Sequence, residues 1–303
     1  NGGHRDAVAE SKTSNPARST AVIRHPLLMA LLRSPSGRIG LGLVLFHCGL
    51  ALIAPLIVPY DFNAQSEVLD AMGPSLQHWA GLDTLGRDVL TRTFLGGRQA
   101  LLVTVFGTIM AITWGSFLGM VAGLKGGRLD ELIMRTVDTF LAIPFMIFLL
   151  LIIASFGNEP LVMILTLGFF YGIGVVRLAR AATLDEVVKD YVQSARARGE
   201  STLSIVLKEI LPNVRDVLLV ESAMRWSWML LAFSALSFLG FGVTPPTPDW
   251  GLMIANARIY MPLAPWPVLA PMIALSSLII GINLVADALA KALGLDRTQA
   301  RTL

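Results

Sequence analysis

The sequence predicts an all-α membrane protein with six transmembrane helices. Hydrophobic residues make up 54% of the 303 residues, charged residues only 15%, and the mean hydropathy is +0.65. A soluble domain carries about 25% charged residues. Six segments also contain the roughly 20 mostly apolar residues that a membrane-spanning helix needs. They are Ile39–Pro59, Ala100–Leu124, Ile133–Phe156, Leu161–Ala182, Val214–Gly242 and Val268–Leu293.

The polar stretches between these segments divide the chain. Residues 1–38 are expected to form a cytoplasmic tail, in which Pro26–Arg33 is a short amphipathic helix on the membrane surface. Residues 39–303 form the six-helix domain. Its loop over about residues 60–99 is too long for a simple turn, so we expect a small external cap between the first and second helices. A second polar loop covers about residues 183–213.

Lys and Arg residues are distributed unevenly over this topology. With the N-terminus in the cytoplasm, the outer segments hold only Arg87, Arg92, Arg98 and Arg258 of the 24 basic residues. Cytoplasmic loops carry an excess of Lys and Arg, so both termini and the loop at 183–213 are predicted to be cytoplasmic. The same excess explains the net charge of +3. No basic run with interleaved aromatic residues points to nucleic acid.

The residue patterns of catalytic and metal sites are absent from the sequence. Cys48 is the only cysteine, so no intrachain disulfide can form. The four histidines are scattered and do not form a ligand cluster. No phosphate-binding loop, Gly-x-Ser-x-Gly elbow or His-Glu-x-x-His motif is present. We therefore expect a chain that is not an enzyme and that holds no cofactor or metal.

Glycines recur along the second predicted span, at Gly107, Gly115, Gly119 and Gly123. Small residues on one stripe of a helix allow another helix to approach closely. We expect close packing here, with a hinge as the alternative.

The polar segment Tyr191–Asn213 carries an informative pattern, since it lies between two apolar segments and must project from the membrane. Its residues resemble the cytoplasmic coupling loop of importer-type ATP-binding-cassette permeases, which reads Glu-Ala-Ala, three residues, Gly and a downstream Ile-Leu-Pro. The resemblance assigns ATPase coupling to Gln193, Ser194, Ala195, Arg196, Gly199, Glu200, Ser201, Ile210, Leu211 and Pro212.

An external string from His78 to Asp88 carries a second pattern. Glycines there permit tight turns, and alternating Arg and Asp residues predict ion pairs that fix a helix to the outer surface. The string resembles the His-Pro-x-Gly-Thr-Asp-x-x-Gly-Arg-Asp pattern of the dipeptide, oligopeptide and nickel permease family, and departs from it at Trp79 and Leu82. The matching residues include Gly81, Asp83, Gly86, Arg87 and Asp88.

This resemblance implies a type I ABC-importer permease fold in a bacterial or archaeal cytoplasmic membrane. The long tail and the external cap are similar to those of the C-type subunit of the permease pair. The implied partners are a homologous second permease, two ATP-binding-cassette ATPase subunits that bind ATP and Mg, an extracytoplasmic solute-binding protein and membrane lipid. The coupling segment would dock on an ATPase, with Gly199 setting a turn and Pro212 ending the segment.

The implied function is to form half of a translocation pathway for di- or oligopeptides. The same importer type carrying nickel chelates or another small solute is one alternative. An ion-gradient-driven secondary transporter is another, and it would need coupling-ion sites in broken helices.

Three pairs of charged residues have helical spacing. Glu221 and Arg225 lie at i and i+4 in the fifth predicted span, where ionisable residues usually face a bundle interior or a water-filled cavity. They are expected, with Trp226, either to line the pathway or to form a structural pair. The pairs Arg135–Asp138 and Asp287–Lys291 are predicted to be structural ion pairs.

Overall fold

The computed structural model describes residues 26–66 and 73–295, and these residues are almost entirely helical. Most of the predicted tail, residues 1–25, lies outside the described residues. Over the described ranges, the extended backbone pairs only at one isolated bridge, between Leu82 and Asp88. The helices are α1 Pro26–Arg33, α2 Pro35–Ile57, α3 Val89–Lys125, α4 Gly127–Leu141, α5 Phe145–Phe156, α6 Pro160–Val187, α7 Asp190–Ala197, α8 Thr202–Ser204, α9 Leu211–Phe238, α10 Trp250–Ala257 and α11 Trp266–Ala292. A π turn, Ile205–Ile210, joins α8 to α9, and a 3-10 turn, Arg258–Tyr260, follows α10.

Four of the described helices are long and apolar enough to cross a membrane: α2, α3, α6 and α11. The pair α4 and α5 meets the same criterion only as one span with a bend of 83°. Helix α9 has 28 residues but carries Arg215, Asp216, Glu221 and Arg225, and it is not among the spans. Length and composition therefore identify four or five crossings, and the predicted count of six is not confirmed.

The third predicted span, Ile133–Phe156, is broken rather than continuous. Helix α4 ends at Leu141 and α5 begins at Phe145, with Pro144 in an extended conformation between them. A proline disfavours helical geometry in the residue before it and has no N–H to donate, so the chain leaves the helix here. The turn before α4 is formed by Gly126 and Gly127, which both adopt positive φ angles.

The second predicted span begins earlier than the hydropathy indicated. It was expected to start at Ala100, whereas α3 starts at Val89. The carboxylate of Asp88 accepts a hydrogen bond from the Thr91 N–H at 2.7 Å and caps the helix. The segment between α2 and α3 is therefore shorter than the predicted loop, and Gln99 lies inside a helix.

Helices α3 and α6 pack with their backbones in contact. A Cβ atom at Gly115 would lie 2.5 Å from the Gly172 carbonyl oxygen, and one at Gly119 would lie 2.3 Å from the Val176 carbonyl oxygen. Gly123 faces Thr183 in the same way, with a Cβ distance of 2.9 Å. The predicted packing role of these glycines is confirmed, since any larger residue would push the helices apart.

Helix α11 connects α2 to this pair, whereas α4 and α5 pack directly on α6. It contacts α2 through Gly40, where a Cβ would lie 2.8 Å from the Gly281 carbonyl oxygen. Helices α9 and α10 also pack on α11, and α9 in turn packs on α3. The predicted short helix α1 forms and packs against α2 and α11.

A first prediction follows from the contact between α3 and α6. Gly119→Ala should destabilise the protein by about 1–3 kcal/mol, the usual cost of overpacking, because the new methyl group meets backbone that cannot move aside. The measurement is thermal unfolding of the purified protein in detergent. Gly42→Ala is the matched control, since a Cβ at Gly42 in α2 meets nothing within 4 Å. Equal melting temperatures for the two variants would refute the contact.

Candidate functional site

The predicted coupling segment consists of two short helices joined by a glycine turn. Helix α7 ends at Ala197, and Gly199 follows with a φ of +74°. Its N–H donates to the Arg196 carbonyl at 2.9 Å, and the Glu200 N–H donates to the Ala195 carbonyl at 3.2 Å. A left-handed residue of this kind closes the C-terminus of a helix, and glycine adopts it without steric cost. The structure thus places Gly199 at the expected turn.

The inner face of the segment is a small apolar core beneath α3 and α6. Ala195 and Ile210, two of the predicted coupling residues, are both fully buried in it, while Leu211 is partly buried. The core combines coupling-segment residues with residues of the long helices. Its buried members are Met120, Leu124, Ala179, Val192, Ala195, Ile205, Val206, Ile210, Val214 and Leu218. A force applied to the segment would therefore act directly on α3, α6 and α9.

Polar side chains hold the segment to the ends of the two long helices. An Arg196 guanidinium nitrogen donates to the Leu124 carbonyl at the end of α3, at 2.5 Å. The Gln193 amide donates to the Val187 carbonyl at the end of α6, at 2.7 Å. Both bonds satisfy carbonyl groups that a helix C-terminus leaves unpaired. These two predicted residues therefore anchor the segment as well as facing outward.

The turn after Gly199 is fixed by its own hydrogen bonds. The Ser201 hydroxyl accepts from the Ser204 N–H at 3.2 Å and caps α8. Glu200 pairs with Arg198 at 2.6 Å and accepts from the Ser204 hydroxyl at 2.9 Å. Hydrogen bonds from Arg198 and Ser204 hold the pKa of the Glu200 carboxyl below its usual value. The carboxylate form therefore stabilises this loop.

The outer face of the segment is basic and partly apolar. Gln193, Ser194, Arg196, Gly199 and Ser201 are all exposed. Two leucines one helical turn apart also face outward, with 54% of Leu203 and 47% of Leu207 exposed. Exposed apolar residues beside cationic ones are typical of surfaces that meet another protein.

The expectation that Pro212 ends the segment is wrong. The backbone is helical from Thr202 to Phe238, and Pro212 lies in the first turn of α9. In the π turn before it, the Leu211 N–H reaches back five residues to the Val206 carbonyl. Proline lacks an N–H and its ring crowds the carbonyl four residues earlier, so a wider turn accommodates it without a break. The coupling segment thus continues directly into α9.

The predicted Glu221–Arg225 pair forms on α9. The Arg225 Nε donates to Glu221 Oε1 at 2.5 Å, and both side chains are mostly shielded from solvent. The guanidinium lies over Gly174 of α6, where a Cβ would be 2.9 Å from both of its terminal nitrogens. Beside it, the Tyr171 hydroxyl donates to the Trp228 carbonyl at 2.9 Å. Trp226 instead contacts α3, since its indole N–H donates to the Thr104 hydroxyl at 3.0 Å.

Comparison with known proteins identifies the family. Residues 115–297 match the family of binding-protein-dependent transport system inner membrane components. This match covers the coupling segment and the packed helices on both sides of it. The chain belongs to this family.

Individual relatives match over most of their length. The di/tripeptide transport system permease protein DppC of Pseudomonas aeruginosa is 35% identical over 260 residues, which cover 84% of this chain and 86% of that protein. The oligopeptide transport system permease protein OppC of Haemophilus influenzae is 31% identical, over 80% of this chain and 78% of its own. The glutathione transport system permease protein GsiD of Escherichia coli O6:K15:H31 is 35% identical, over 80% and 81%.

In this binding-protein-dependent transport component, two of the three predicted ion pairs do not form. Arg135 pairs with Glu131 at 2.5 Å, and Asp138 pairs with Arg177 of α6 rather than with Arg135. The predicted Arg135–Asp138 pair is therefore wrong. Its residues lie one turn apart, but each reaches a closer partner of opposite charge. Between Asp287 and Lys291, both of which the structure describes, no ion pair within 4.0 Å is found.

A second connection between α4 and α6 escaped the sequence analysis. Arg180 binds Asp130 through two hydrogen bonds, each of 2.5 Å. Such bidentate pairs are the stronger kind of ion pair. Together with the bond between Arg177 and Asp138, it joins α4, the first half of the bent pair, to α6.

The external motif of the transport component forms a tight turn that leads into α3. Gly81 and Gly86 adopt φ angles of +72° and +70°. Asp83 accepts hydrogen bonds from the Arg87 backbone at 3.0 Å and from its Nε at 2.8 Å. Asp88 caps α3 and also contacts His78 Nδ1 at 2.8 Å. The expected turns and ion pairs are present, and their visible role is to fix the start of α3.

Trp250 and Asp249 are buried residues to which the sequence analysis gave no role. The Trp250 indole is fully buried over Gly97, and its N–H donates to the Thr93 carbonyl at 2.8 Å. Asp249 caps α10 by accepting from the Leu252 N–H at 3.1 Å. The order Pro-Asp-Trp-Gly before an apolar run is a recognisable helix start. No local sequence signal predicts that Trp250 is buried against α3.

Burial raises the pKa of the Asp249 carboxyl to about 6, although the hydrogen bond from the Leu252 N–H opposes the shift. Between about pH 4 and 6 the folded protein therefore holds a proton that the unfolded chain releases. The Asp249 carboxyl makes its full contribution to the free energy of unfolding below about pH 4, and this contribution is lost as the pH rises through about 6. The shift of the Asp249 pKa from 3.8 to about 6 corresponds to a difference of about 3 kcal/mol in the free energy of unfolding.

Asp249→Asn should remove this dependence, because asparagine keeps the cap without the charge. We expect the variant to melt at a higher temperature than the parent near pH 7.5, and the difference to narrow near pH 4.5. Thermal unfolding in detergent at several pH values tests this. Asp61→Asn, at an exposed residue, is the control. A difference that stays constant with pH would contradict the assignment.

Proposed function

We propose that this transport component is one permease half of an ATP-driven importer for di- or oligopeptides. The observation that carries the proposal is the coupling segment, whose buried inner face lies against α3, α6 and α9 and whose outer face remains exposed. The peptide substrate class is supported by the names of the relatives, which include di/tripeptide, oligopeptide and glutathione permeases. The relatives' high coverage supports carrying this class over to the present chain.

The proposed partners supply what this chain lacks. Two ATPase subunits bind ATP and Mg, and one of them receives the exposed face with Arg198, Leu203 and Leu207. Closure of the ATPase pair moves the segment as a rigid body, and the apolar core beneath it passes that movement to the long helices. A homologous second permease completes the pathway. An extracytoplasmic binding protein delivers the solute to the outer loops, including residues 245–265.

The proposed topology has six crossings with both termini in the cytoplasm. Helices α4 and α5 together form the third crossing and α9 forms the fifth. The charges of α9 are compatible with a crossing because Glu221 and Arg225 neutralise each other and lie against α6. Ionisable residues inside a membrane are usually paired and face protein or water in this way. The segment between α2 and α3 forms the external cap.

The importer assignment is tested by purifying the chain from its native membrane together with the proteins that bind it. We expect a second permease and ATPase subunits in fixed stoichiometry. Reconstitution of that complex with its binding protein should give peptide uptake that requires ATP. Uptake that collapses on dissipating an ion gradient while ATP is present would replace the proposal with a secondary transporter.

Gly199→Asp tests the coupling assignment. A non-glycine residue at φ +74° costs about 1–2 kcal/mol, and the carboxylate adds negative charge to a basic surface. We expect transport-coupled ATP hydrolysis to be lost while membrane insertion is retained. Gly294→Asp is the matched control, because Gly294 closes α11 with a φ of +69°, open space around it and the same pair of hydrogen bonds, from its own N–H to the Lys291 carbonyl and from the Leu295 N–H to the Ala290 carbonyl. Normal coupling in Gly199→Asp would exclude docking through this turn.

Glu221→Ala tests the pathway assignment. Removing the carboxylate leaves the Arg225 guanidinium unpaired against α6, and we propose that this pair lines the path of the substrate. Transport rates and substrate preference in reconstituted vesicles should both change. If neither changes, the pair is structural. Glu131→Ala, which removes the exposed partner of Arg135, is the control for loss of an ion pair on this chain.

A further inference from the structure

Glu186, in the last turn of α6, is a buried acid that no motif of the sequence singled out. Only 9% of the residue is exposed. Its two carboxylate oxygens have separate donors, since Oε1 accepts from Lys189 Nζ at 2.7 Å and Oε2 accepts from the Tyr191 hydroxyl. Lys189 belongs to the linker after α6, and Tyr191 belongs to α7. One side chain of α6 therefore holds both the linker and the first turn of the coupling segment.

The position of Glu186 on α6 explains why it faces the coupling segment. Ala179 and Thr183 pack against α3, and Glu186 follows them at helical spacings of seven and three residues, which places it on the same face of α6. Thr183 lies against Gly123, two residues before α3 ends. One turn further along α6, the coupling segment takes the place of α3 and covers the carboxylate.

The hydrogen bond between Tyr191 and Glu186 is of a strong type. Burial and the bond to Glu186 raise the pKa of the Tyr191 hydroxyl above its usual value, so the hydroxyl keeps its proton and remains a donor. Hydrogen bonds to an ionised acceptor are roughly twice as strong as bonds between neutral groups. The tyrosine ring also packs against the apolar core beneath the segment. The ring and the hydroxyl thus make two separable contacts.

Helix α7 needs such contacts because it is too short to fix its own direction. It has eight residues, and its N-cap residue Lys189 makes no side-chain hydrogen bond to the helix. Isolated helices shorter than about 12 residues are marginal in water. Val188 and Lys189, which join α6 to α7, are both exposed. Burial of the linker therefore does not set the angle between the two helices.

We infer that Glu186 is a positioning residue for coupling: by holding Tyr191 it fixes the angle between α6 and α7, so that a movement of the coupling segment is passed to α6 and is not absorbed by the linker. The inference rests on the proposed importer function and deepens it. It names the side chain through which the exposed face of the segment acts on one of the long helices.

The first experiment measures the geometry of the contact. Spin labels at Leu184→Cys and Ser194→Cys, exposed positions of α6 and α7, report the distance between the two helices in the purified chain in nanodiscs. Cys48→Ala removes the one native cysteine of the chain. Tyr191→Phe keeps the ring in the apolar core and removes only the hydroxyl, whereas Glu186→Gln keeps the shape and removes the charge. Both should broaden the distribution of distances.

Asp185→Asn is the matched control, because Asp185 is the neighbouring carboxylate and lies on the exposed side of α6. Its distance distribution should equal that of the parent. A parent-like distribution in both Tyr191→Phe and Glu186→Gln would overturn the inference.

The second experiment counts the ATP molecules hydrolysed per molecule of radiolabelled dialanine taken up, with the complete importer and its binding protein in vesicles. This ratio should rise about twofold or more in Tyr191→Phe and in Glu186→Gln, as expected for residues that carry coupling. A merely structural role would lower uptake and hydrolysis together and leave the ratio at the parent value. Because both substitutions break the same contact, the double variant should exceed either single variant only slightly.

The two experiments separate the inference from the proposed function. Absence of ATP-dependent uptake by the parent would refute the importer and with it the coupling role of Glu186, even where the distances show the contact. Normal uptake with an unchanged ratio in both variants would refute only the role of Glu186.

Discussion

The backbone contact between α3 and α6 is the constraint on which the other features depend. Its glycines run from Gly107 to Gly123, about 24 Å along α3 at 1.5 Å per residue. At one end the two helices contribute Met120, Leu124 and Ala179 to the coupling core, and at the other end they line a cavity that contains Gln99 and Glu159. Because glycines of α3 lie against backbone carbonyl groups of α6, neither helix can move along its axis without the other. A movement at the coupling segment therefore reaches both helices together.

Helix α6 makes its apolar and polar contacts on different sides. The stripe that packs against α3 carries small or apolar residues, namely Gly168, Gly172, Val176, Ala179 and Thr183. The polar contacts come from Tyr171, Gly174, Arg177 and Arg180, whose three-residue spacing turns by about 60° per step and spreads them over about half of the helix, away from that stripe. These four residues contact α9 or α4 through the Trp228 carbonyl, Arg225, Asp138 and Asp130 respectively. Helix α6 can thus pack closely against α3 and also pair with polar groups of α4 and α9, while its charged side chains stay away from α3.

Much of this arrangement could be predicted because its signals are local. The packing glycines of α3 and the pair Glu221–Arg225 each follow from spacing within one segment, and the turn at Gly199 follows from the resemblance to the coupling loop. The pairing of Asp138 with Arg177 could not be predicted, because 39 residues separate them and Arg135 lies nearer in sequence. The failure at Pro212 has a different origin. Proline normally interrupts a helix, but a π turn accommodates it, and no residue pattern in Ile205–Ile210 indicates that turn. The sequence analysis did not predict the cavity beside Glu159, because residues from three separate elements line it.

The polarity of α9 is informative about its neighbours. A hydropathy criterion assumes that a helix faces lipid, and α9 does not meet it. Two of its charges are nevertheless satisfied inside the protein, since Glu221 neutralises Arg225 and Gly174 leaves room for the guanidinium on α6. A leucine at position 174 would remove that room and leave Arg225 to lipid or water. The glycine in α6 and the charges in α9 are therefore one feature of the fold.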